Sequence, residues 1–323
     1  MNATTASAPT PTGREYVRRL LAGETGPRLA IGELVLDRDL VRELFGLAPT
    51  ATVPLAAEQA LLDRWGHDLV VVPFSHGWGV AQQPDIEDAL FRLGYWQENS
   101  ALFVFALMDG PFSAAVRAWG WEETLVRFGR QAPDLPAFLS DAVLDLSERL
   151  ATVAAAGADG IIIGDDIAYR RGPYIRPDLL ARFYFPYLHL LVRAAQDLGL
   201  PVVFHSDGNL WSVWDELMRI PLAGIQGLDP MSGMSLALAR QRSHRRLCLW
   251  GNLDLGWLTQ PRDAAAIRGH LHDLLDPIRG TPVILGTCGG LMPGLPAATL
   301  DTLYATARTF PWDPPSASSG PAA

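Results

Sequence analysis

The sequence contains no lysine, because all 26 of its basic residues are arginines. Schiff-base catalysis, pyridoxal phosphate attachment and the Walker A phosphate loop all need a lysine amine, so these chemistries are excluded. Arginine cannot replace lysine there, since its guanidinium group stays protonated in proteins. The formal charge is −9 and there is no basic run, which argues against nucleic acid or an anionic membrane surface as a partner.

Cysteine is also scarce, with only Cys248 and Cys288 in 323 residues. This number excludes a disulfide scaffold and predicts reduced thiols in a cytoplasmic protein. The first residues lack the charged and apolar regions of a signal peptide. No apolar run approaches the ~18–20 residues of a membrane span, so we expect no membrane segment.

What the chain does contain is a regular alternation of short apolar runs and longer amphipathic segments. We predict one domain over residues 14–312, with disordered tails at 1–13 and 313–323. Pro136–Ala155 has helical spacing of leucine and valine, whereas region 77–100 suggests an irregular insertion over one end of the domain. The predicted strands are Leu29–Val35, Asp68–Phe74, Ala101–Met108, Asp159–Gly164, Pro201–His205, Ala223–Leu228, Leu247–Asn252 and Pro282–Thr287.

Eight such runs separated by helices predict a single (β/α)8 TIM barrel, because parallel strands buried on both faces read as continuous apolar segments. An open doubly wound sheet is the alternative, but no GxGxxG motif follows the first strand. Catalytic groups of a barrel lie at the C-terminal strand ends. The polar or reactive side chains at these ends are Glu33, Ser75, His76, Asp109, Asp165, Asp166, His205, Asp207, Asp229, Asn252, Asp254 and Cys288.

Three of these side chains could form a metal site. His205 and Asp207 stand two residues apart and point to the same side of an extended chain. Cys288 follows the last strand among glycines, where it could be a metal ligand, a nucleophile or a small filler residue. His205, Asp207 and Cys288 together would supply three ligands and leave one position open, as in catalytic zinc sites. We expect Cys248 to be an inert buried residue.

The adjacent carboxylates of Asp165 and Asp166 would point to opposite sides of an extended chain, so one of them should face the site. That residue could be a catalytic base or a further metal ligand, and His205 could also act as the base. The alternative for the pair is helix capping or a salt bridge. We expect Glu33, His76, Tyr169 and Asn252 to contact the substrate.

Several motifs resemble the uroporphyrinogen decarboxylase superfamily, from about Arg14 to Phe310 and most strongly beyond Ala156. The resemblance implies a (β/α)8 barrel that is commonly a homodimer. The motifs are Phe204-His205-Ser206-Asp207-Gly208, Gly227-Leu228-Asp229-Pro230, Leu249-Trp250-Gly251-Asn252-Leu253-Asp254 and Leu285-Gly286-Thr287-Cys288-Gly289-Gly290.

The same resemblance separates two branches of the superfamily. True uroporphyrinogen decarboxylases have an arginine-rich loop after the first strand, where this chain has Glu33, and a Phe-Ser-Asp motif, where it has His76. Corrinoid-linked methyltransferases, such as methylcobalamin:coenzyme M methyltransferase, bind zinc through a His-x-Cys pair and a late cysteine. His205 and Cys288 match two of those ligands, and Asp207 replaces the other cysteine. A carboxylate there makes a harder site and a more Lewis-acidic metal.

The leading hypothesis is therefore a zinc-dependent methyl (alkyl) transferase or demethylase acting on a small molecule. Its methyl donor or acceptor would be a corrinoid on a separate partner protein. The runner-up is a metal-independent decarboxylase or lyase, with Arg38, Arg117 and Arg170 as candidates to bind a substrate carboxylate. A non-catalytic barrel that binds a small molecule or corrinoid is the third hypothesis.

Overall fold

Eight parallel strands form the centre of the structure, a computed structural model that describes residues 11–80, 82–244 and 246–312. They pair in the order β1-β10-β9-β8-β7-β4-β3-β2 and form a nearly closed barrel. A separate hairpin, β5 and β6, follows β4. The strands are β1 Ala30–Ile31, β2 Leu69–Pro73, β3 Phe103–Asp109, β4 Gly160–Gly164, β5 Ala168–Tyr169, β6 Gly172–Pro173, β7 Val202–Ser206, β8 Gly224–Gly227, β9 Cys248–Leu253 and β10 Val283–Thr287.

Helices connect the strands, which confirms the predicted single (β/α)8 barrel. The predicted helix Pro136–Ala155 is α7, and in the described part of the chain no helix combines the length and apolar character that crossing a membrane requires. The helices are α1 Gly13–Leu21, α2 Arg38–Phe45, α3 Leu55–Trp65, α4 Ile86–Asn99, α5 Pro111–Trp119, α6 Trp121–Arg130, α7 Leu135–Ala155, α8 Pro177–Phe183, α9 Phe185–Asp197, α10 Trp214–Leu217, α11 Leu236–Arg242, α12 Leu255–Leu258, α13 Ala264–Leu275 and α14 Ala297–Arg308.

Alternate side chains of each strand belong to two different cores, as expected for strands covered on both faces. In β3, Phe103 and Phe105 join a cluster with residues from β1, β2, β4, β7, β9 and β10, which fills the barrel. Val104 and Ala106 of the same strand belong to the second cluster, which includes the surrounding helices. Cys248 lies in the barrel cluster, buried as expected, and burial raises the pKa of its thiol to about 12.

The N-terminal end of the barrel is covered by α1. Tyr16, Val17 and Leu20 of this helix are buried in the barrel cluster, and the Arg14 side chain donates to the Leu102 carbonyl at 3.0 Å. Thr12 caps the helix with a capping box, so two residues that we assigned to the N-terminal tail, Thr12 and Gly13, are the N-cap and the first residue of α1. The other predicted tail residues, 1–10 and 313–323, lie outside the described residues.

The first strand is shorter than predicted, because its backbone leaves β10 after Gly32, whose N–H donates to Leu285 O at 3.0 Å. Two residues further along β10, the Thr287 N–H donates to the side-chain carboxylate of Glu33 rather than to a backbone carbonyl of β1. On its other side, β1 meets β2 through the Asp68 N–H, which donates to Ile31 O at 2.8 Å. The described sheet has no β1–β2 ladder, so β1 and β2 are its two ends.

The prediction of an irregular insertion over 77–100 is wrong for its second part. Ile86–Asn99 forms the regular helix α4, with Asp85 as its N-cap, and Leu93 and Trp96 are buried. Aromatic residues near turn-forming ones obscured this helical spacing. The loop between β2 and α4 remains irregular and lies at the C-terminal end of the barrel, where the predicted site residues also lie.

Candidate active site

The adjacent residues Asp165 and Asp166 at the end of β4 have different surroundings. Asp165 is fully buried and accepts hydrogen bonds from the Phe112 and Ser113 N–H groups, at 3.0 and 2.6 Å, and from Ser113 Oγ at 2.6 Å. These contacts hold the first turn of α5. Burial raises the pKa of Asp165 to about 7, although the Ser113 and Phe112 hydrogen bonds lower it.

Asp165, which we predicted to be catalytic, fixes the N-terminus of a helix and is not among the residues that line the cavity at the barrel mouth, so its catalytic role stays a prediction. Helix N-termini present unpaired N–H groups, and a carboxylate is well suited to accept from them. Asp166 is the member of the pair that faces the cavity.

Asp166, His205 and Asp207 form a cluster at the ends of β4 and β7. One ligand atom from each lies within 4.8 Å of the other two, a geometry that could hold a metal ion. His205 Nε2 is 3.6 Å from Asp166 Oδ1, and the Asp207 N–H donates to the same oxygen at 2.9 Å. Two of the three predicted ligands, His205 and Asp207, are thus brought together.

The third predicted ligand, Cys288, is not in this cluster; among the described residues the position beside His205 and Asp207 is taken by Asp166. Cys288 is buried, and burial raises the pKa of its thiol to about 12, with Asp229, Asp207 and Asp254 also raising it. Beside His205 and Asp207 the described residues therefore place a carboxylate, that of Asp166, rather than a soft sulfur donor.

Gln226 in β8 is a site residue that the sequence analysis missed. It is fully buried, and its side chain lies between His205 and the C-terminal end of β10. His205 Nδ1 is 2.5 Å from Gln226 Oε1, while Gln226 Nε2 donates to the carbonyls of Thr287 and Cys288 at 3.2 Å each. A glutamine inside an otherwise apolar buried strand was the signal that could have identified it.

A cavity of about 990 Å³ opens beside the cluster, and Asp166 and His205 line it. This volume suits a small-molecule ligand. Apolar side chains of the barrel interior, among them Leu34, Val71 and Leu107, form part of the wall. The Trp78 indole also lines the cavity; it donates to Asp166 O at 3.3 Å and stacks on Trp121 at 4.6 Å between ring centroids.

The four residues predicted to contact substrate fall into two groups. Glu33 and His76 line the cavity, whereas Tyr169 and Asn252 do not. Tyr169 is 45% exposed and stacks on Tyr174. Asn252 is buried, and its amide donates to the carbonyls of Leu228 and Met234. The structure thus places one side chain toward solvent in the hairpin and uses the other to hold the β8–α11 loop, and substrate contact by these two residues stays a prediction.

Glu33 lines the cavity but is only 4% exposed. Its carboxylate accepts from the Thr287 N–H and Oγ1 and from Tyr304 Oη, the last at 2.7 Å. Burial raises the pKa of Glu33 to about 7, against the hydrogen bonds from Thr287 and Tyr304, which lower it. Its main contacts therefore join β1 to β10 and α14.

The loop between β2 and α4 covers part of the cavity, and Arg117 of α5 holds it in place. Arg117 Nη2 donates to Ser75 Oγ at 2.9 Å and to Gly77 O and Gln83 Oε1 at 3.0 Å each. Its Nε also pairs with Asp109 at 2.5 Å. Arg117, a candidate for binding a substrate carboxylate, is thus occupied by the protein itself.

The described arginines that line the cavity are also paired. Arg38 contacts Asp88 at 3.2 Å, Arg92 contacts Glu58 at 2.5 Å, and Arg42 contacts Asp39. Arg170 is exposed and does not line the cavity. This pairing leaves the runner-up hypothesis, in which arginines bind substrate carboxylates, with little support.

A model of the uroporphyrinogen decarboxylase (URO-D) family matches residues 96–310, which is more than half of the chain. The chain belongs to the uroporphyrinogen decarboxylase family. The sequence motifs predicted this membership, and it is confirmed. A search of curated protein sequences gave no match.

Solved structures resemble the URO-D family barrel over nearly its whole length. A methyltransferase from Methanosarcina mazei is 17% identical, with a TM-score of 0.74, and the match covers 92% of this chain and 98% of that one. A B12-independent methionine synthase from Shewanella sp. W3-18-1 is 14% identical, with a TM-score of 0.53 and coverage of 89% and 96%. A Bacteroidetes-affiliated GH5 cellulase is 9% identical, with a TM-score of 0.51 and coverage of 91% and 94%. At these identities the similarity shows the fold, which different chemistries share.

Proposed function

We propose that this URO-D family protein is a metal-dependent methyltransferase or demethylase for a small molecule, with Asp166, His205 and Asp207 holding zinc. The observation that carries the proposal is their convergence within 4.8 Å at the edge of a cavity of about 990 Å³. The resemblance to methyltransferase structures supports the reaction class. The pairing of the cavity arginines favours it over decarboxylation.

The donor set fits a divalent cation. One imidazole nitrogen and two carboxylates supply three protein ligands and leave coordination positions for substrate, which is the pattern of catalytic zinc. Partial desolvation raises the pKa of Asp207, as do the nearby Asp166 and Asp229 carboxylates, whereas His205 lowers it. Two carboxylates this close repel each other, and a bound cation would relieve that repulsion.

When bound, zinc would lower the pKa of a substrate thiol or polarise a substrate ether oxygen. The chain's own residues supply the surroundings for that chemistry. Leu34, Val71 and Leu107 exclude water from the inner wall, and Trp78 offers a flat face beside Asp166. In this proposal His205 acts as a metal ligand through Nε2, while its Nδ1 contacts the buried Gln226 side chain.

Metal analysis of the purified protein and of four variants tests the ligand set. We expect about one zinc per chain in the wild type, loss of zinc in His205→Ala and Asp166→Ala, weaker retention in Asp207→Asn, and full retention in Cys288→Ala. A wild type that takes up no zinc when zinc is offered would overturn the metal proposal. Loss of zinc in Cys288→Ala would instead restore the set of His205, Asp207 and Cys288.

The reaction is tested with a methyl donor and a panel of acceptors. We further propose that the methyl donor or acceptor is a corrinoid on a separate protein, and free methylcobalamin serves as its probe, since demethylation changes its absorbance. Zinc-loaded protein should transfer the methyl group to a panel of small thiols, and the His205→Ala variant should not. Equal rates in the two proteins would indicate a non-catalytic barrel.

A further inference from the structure

Gln226 connects two parts of the barrel mouth that are not adjacent in the sheet. It lies on β8, fully buried, with His205 of β7 on one side and the end of β10 on the other. The two carbonyls that its amide contacts, Thr287 and Cys288, are 61 and 62 residues away in sequence. No part of the side chain is available to a substrate, so a direct role in the reaction is excluded.

The surroundings leave only one orientation for the Gln226 amide. The carbonyl oxygens of Thr287 and Cys288 can only accept, so the NH2 group must face them. The amide oxygen then faces His205 Nδ1, at 2.5 Å, and this oxygen can only accept. His205 must therefore carry a proton on Nδ1, so in the neutral imidazole the lone pair is on Nε2, which lies 3.6 Å from Asp166 Oδ1.

The carbonyl partners are themselves fixed. The Thr287 N–H and Oγ1 both bind the buried Glu33 carboxylate, and Thr287 Oγ1 accepts from the Gly290 N–H at 2.7 Å. These contacts hold the end of β10 against β1. A chain of buried hydrogen bonds thus runs from Glu33 through Thr287 and Gln226 to His205.

We propose that Gln226 is a positioning residue, which holds the His205 imidazole as the Nδ1–H tautomer so that Nε2 can bind the cation. This inference rests on the proposed metal site for its purpose, whereas the tautomer itself is a property of the metal-free protein. Partners of this kind orient metal-binding histidines and typically change metal affinity by about 10–100-fold when removed.

The first test needs neither metal nor activity. Protein with ¹⁵N-labelled histidine is studied by NMR at about pH 8, where an ordinary imidazole is neutral, and the His205 signals are identified by their absence in His205→Gln. We expect Nδ1 to be protonated and Nε2 unprotonated. A protonated Nε2 in the wild type would overturn the proposal, even if the protein binds zinc. The expected tautomer in a protein that binds no zinc would leave the inference standing and remove the proposed function.

Variants provide the second test. Gln226→Leu keeps the size of the side chain and removes the acceptor, so His205 should populate both tautomers and zinc affinity should fall about 10–100-fold. Gln226→Glu retains the acceptor and should restore the Nδ1–H tautomer and the zinc affinity, despite losing its bonds to the carbonyls. Thr124→Val is the control for a buried hydrogen bond lost elsewhere, because Thr124 is fully buried in α6 and donates to Gly120 O. If Gln226→Leu weakens zinc binding no more than Thr124→Val, the proposal fails.

Discussion

Two regions of the barrel mouth carry carboxylates at strand ends, but they use them differently. On the β1–β10 side, Glu33 is 4% exposed and accepts from the Thr287 N–H, Thr287 Oγ1 and Tyr304 Oη. On the β4–β7 side, Asp166 faces the cavity, accepts the Asp207 N–H and approaches His205 Nε2. Whether a carboxylate remains available for a ligand therefore depends on the hydrogen-bond donors that the protein places around it, and not on its position at the barrel mouth.

The largest effects should come from replacing each of the two neighbours Asp165 and Asp166 by alanine. Asp165→Ala leaves the buried N–H groups of Phe112 and Ser113 without their acceptor and should lower the free energy of unfolding by roughly 3–5 kcal/mol. Asp166→Ala should cost about 1 kcal/mol, since it accepts one N–H near the surface, but should abolish zinc binding. Urea denaturation of both variants measures the loss of stability, and zinc titration of both measures the loss of metal binding. Equal destabilisation by the two variants would contradict the distinction.

The next prediction concerns the pH dependence of stability on the β1–β10 side. Burial raises the pKa of Glu33 from its ordinary 4.5 to about 7, so between these values the folded state holds a proton that the unfolded chain has released. The resulting stabilisation is complete below pH ~4.5 and is lost as the pH rises through about 7. Its total is on the order of 3 kcal/mol.

Glu33→Gln should therefore flatten the decline of unfolding free energy between pH ~4.5 and ~7, as measured by urea denaturation across that range. Part of the slope should remain in the variant, because burial also raises the pKa of Asp165 to about 7. An unchanged slope would mean that Glu33 is already ionised in the folded protein.

A smaller effect is expected at the loop between β2 and α4. Arg117→Met removes the contacts to Ser75 and Gln83, and amide hydrogen exchange in this loop should become about 10-fold faster, equivalent to ~1.4 kcal/mol. Arg127→Met is the matched control, because Arg127 of α6 pairs with Glu123 of the same helix and with Asp134, the N-cap of α7, and does not line the cavity. If both variants leave exchange in the loop unchanged, Arg117 does not hold it.

The smallest effect is expected for Cys288→Ser. The structure excludes Cys288 from the ligand cluster of the described residues, so zinc affinity should change by less than about 3-fold, which is below 1 kcal/mol. Competition with a chromophoric chelator measures this value. A loss of 100-fold would show that the thiol moves to bind the ion and would remove the contrast between the two sides of the mouth.

The sequence predicted the barrel well because the signal for buried parallel strands is local. Except for the first, the predicted apolar runs, such as Ala101–Met108 and Pro282–Thr287, are found as strands with similar bounds. The pairing of His205 with Asp207 was predicted for the same reason, since two residues on one strand share a face. What could not be predicted depends on contacts between distant segments: Asp165 meets α5, Asn252 meets the carbonyl of Leu228, and Gln226 meets β10.

The same reasoning applies to Cys288, which the structure does not place in the cluster of Asp166, His205 and Asp207. Its position at the end of the last strand was correct, but its distance from His205 depends on side-chain directions across the barrel mouth, and sequence spacing does not carry this information. The adjacent pair Asp165 and Asp166 shows the limit again. Alternation predicted that the two would face opposite ways, yet only the location of α5 decides which of them is buried.

The pairing of the first barrel strand with the last one bears on how the chain is made. β1 pairs with β10, whose residues are synthesised about 250 positions later, as the pairing of Ala30 with Ile284 shows. While the chain emerges from the ribosome, β2 to β9 can assemble in order. One edge of β9 and one edge of β1 stay unpaired until β10 has been made. An unpaired strand edge attracts other chains, so the final stretch of translation is the interval in which this barrel is most exposed to aggregation.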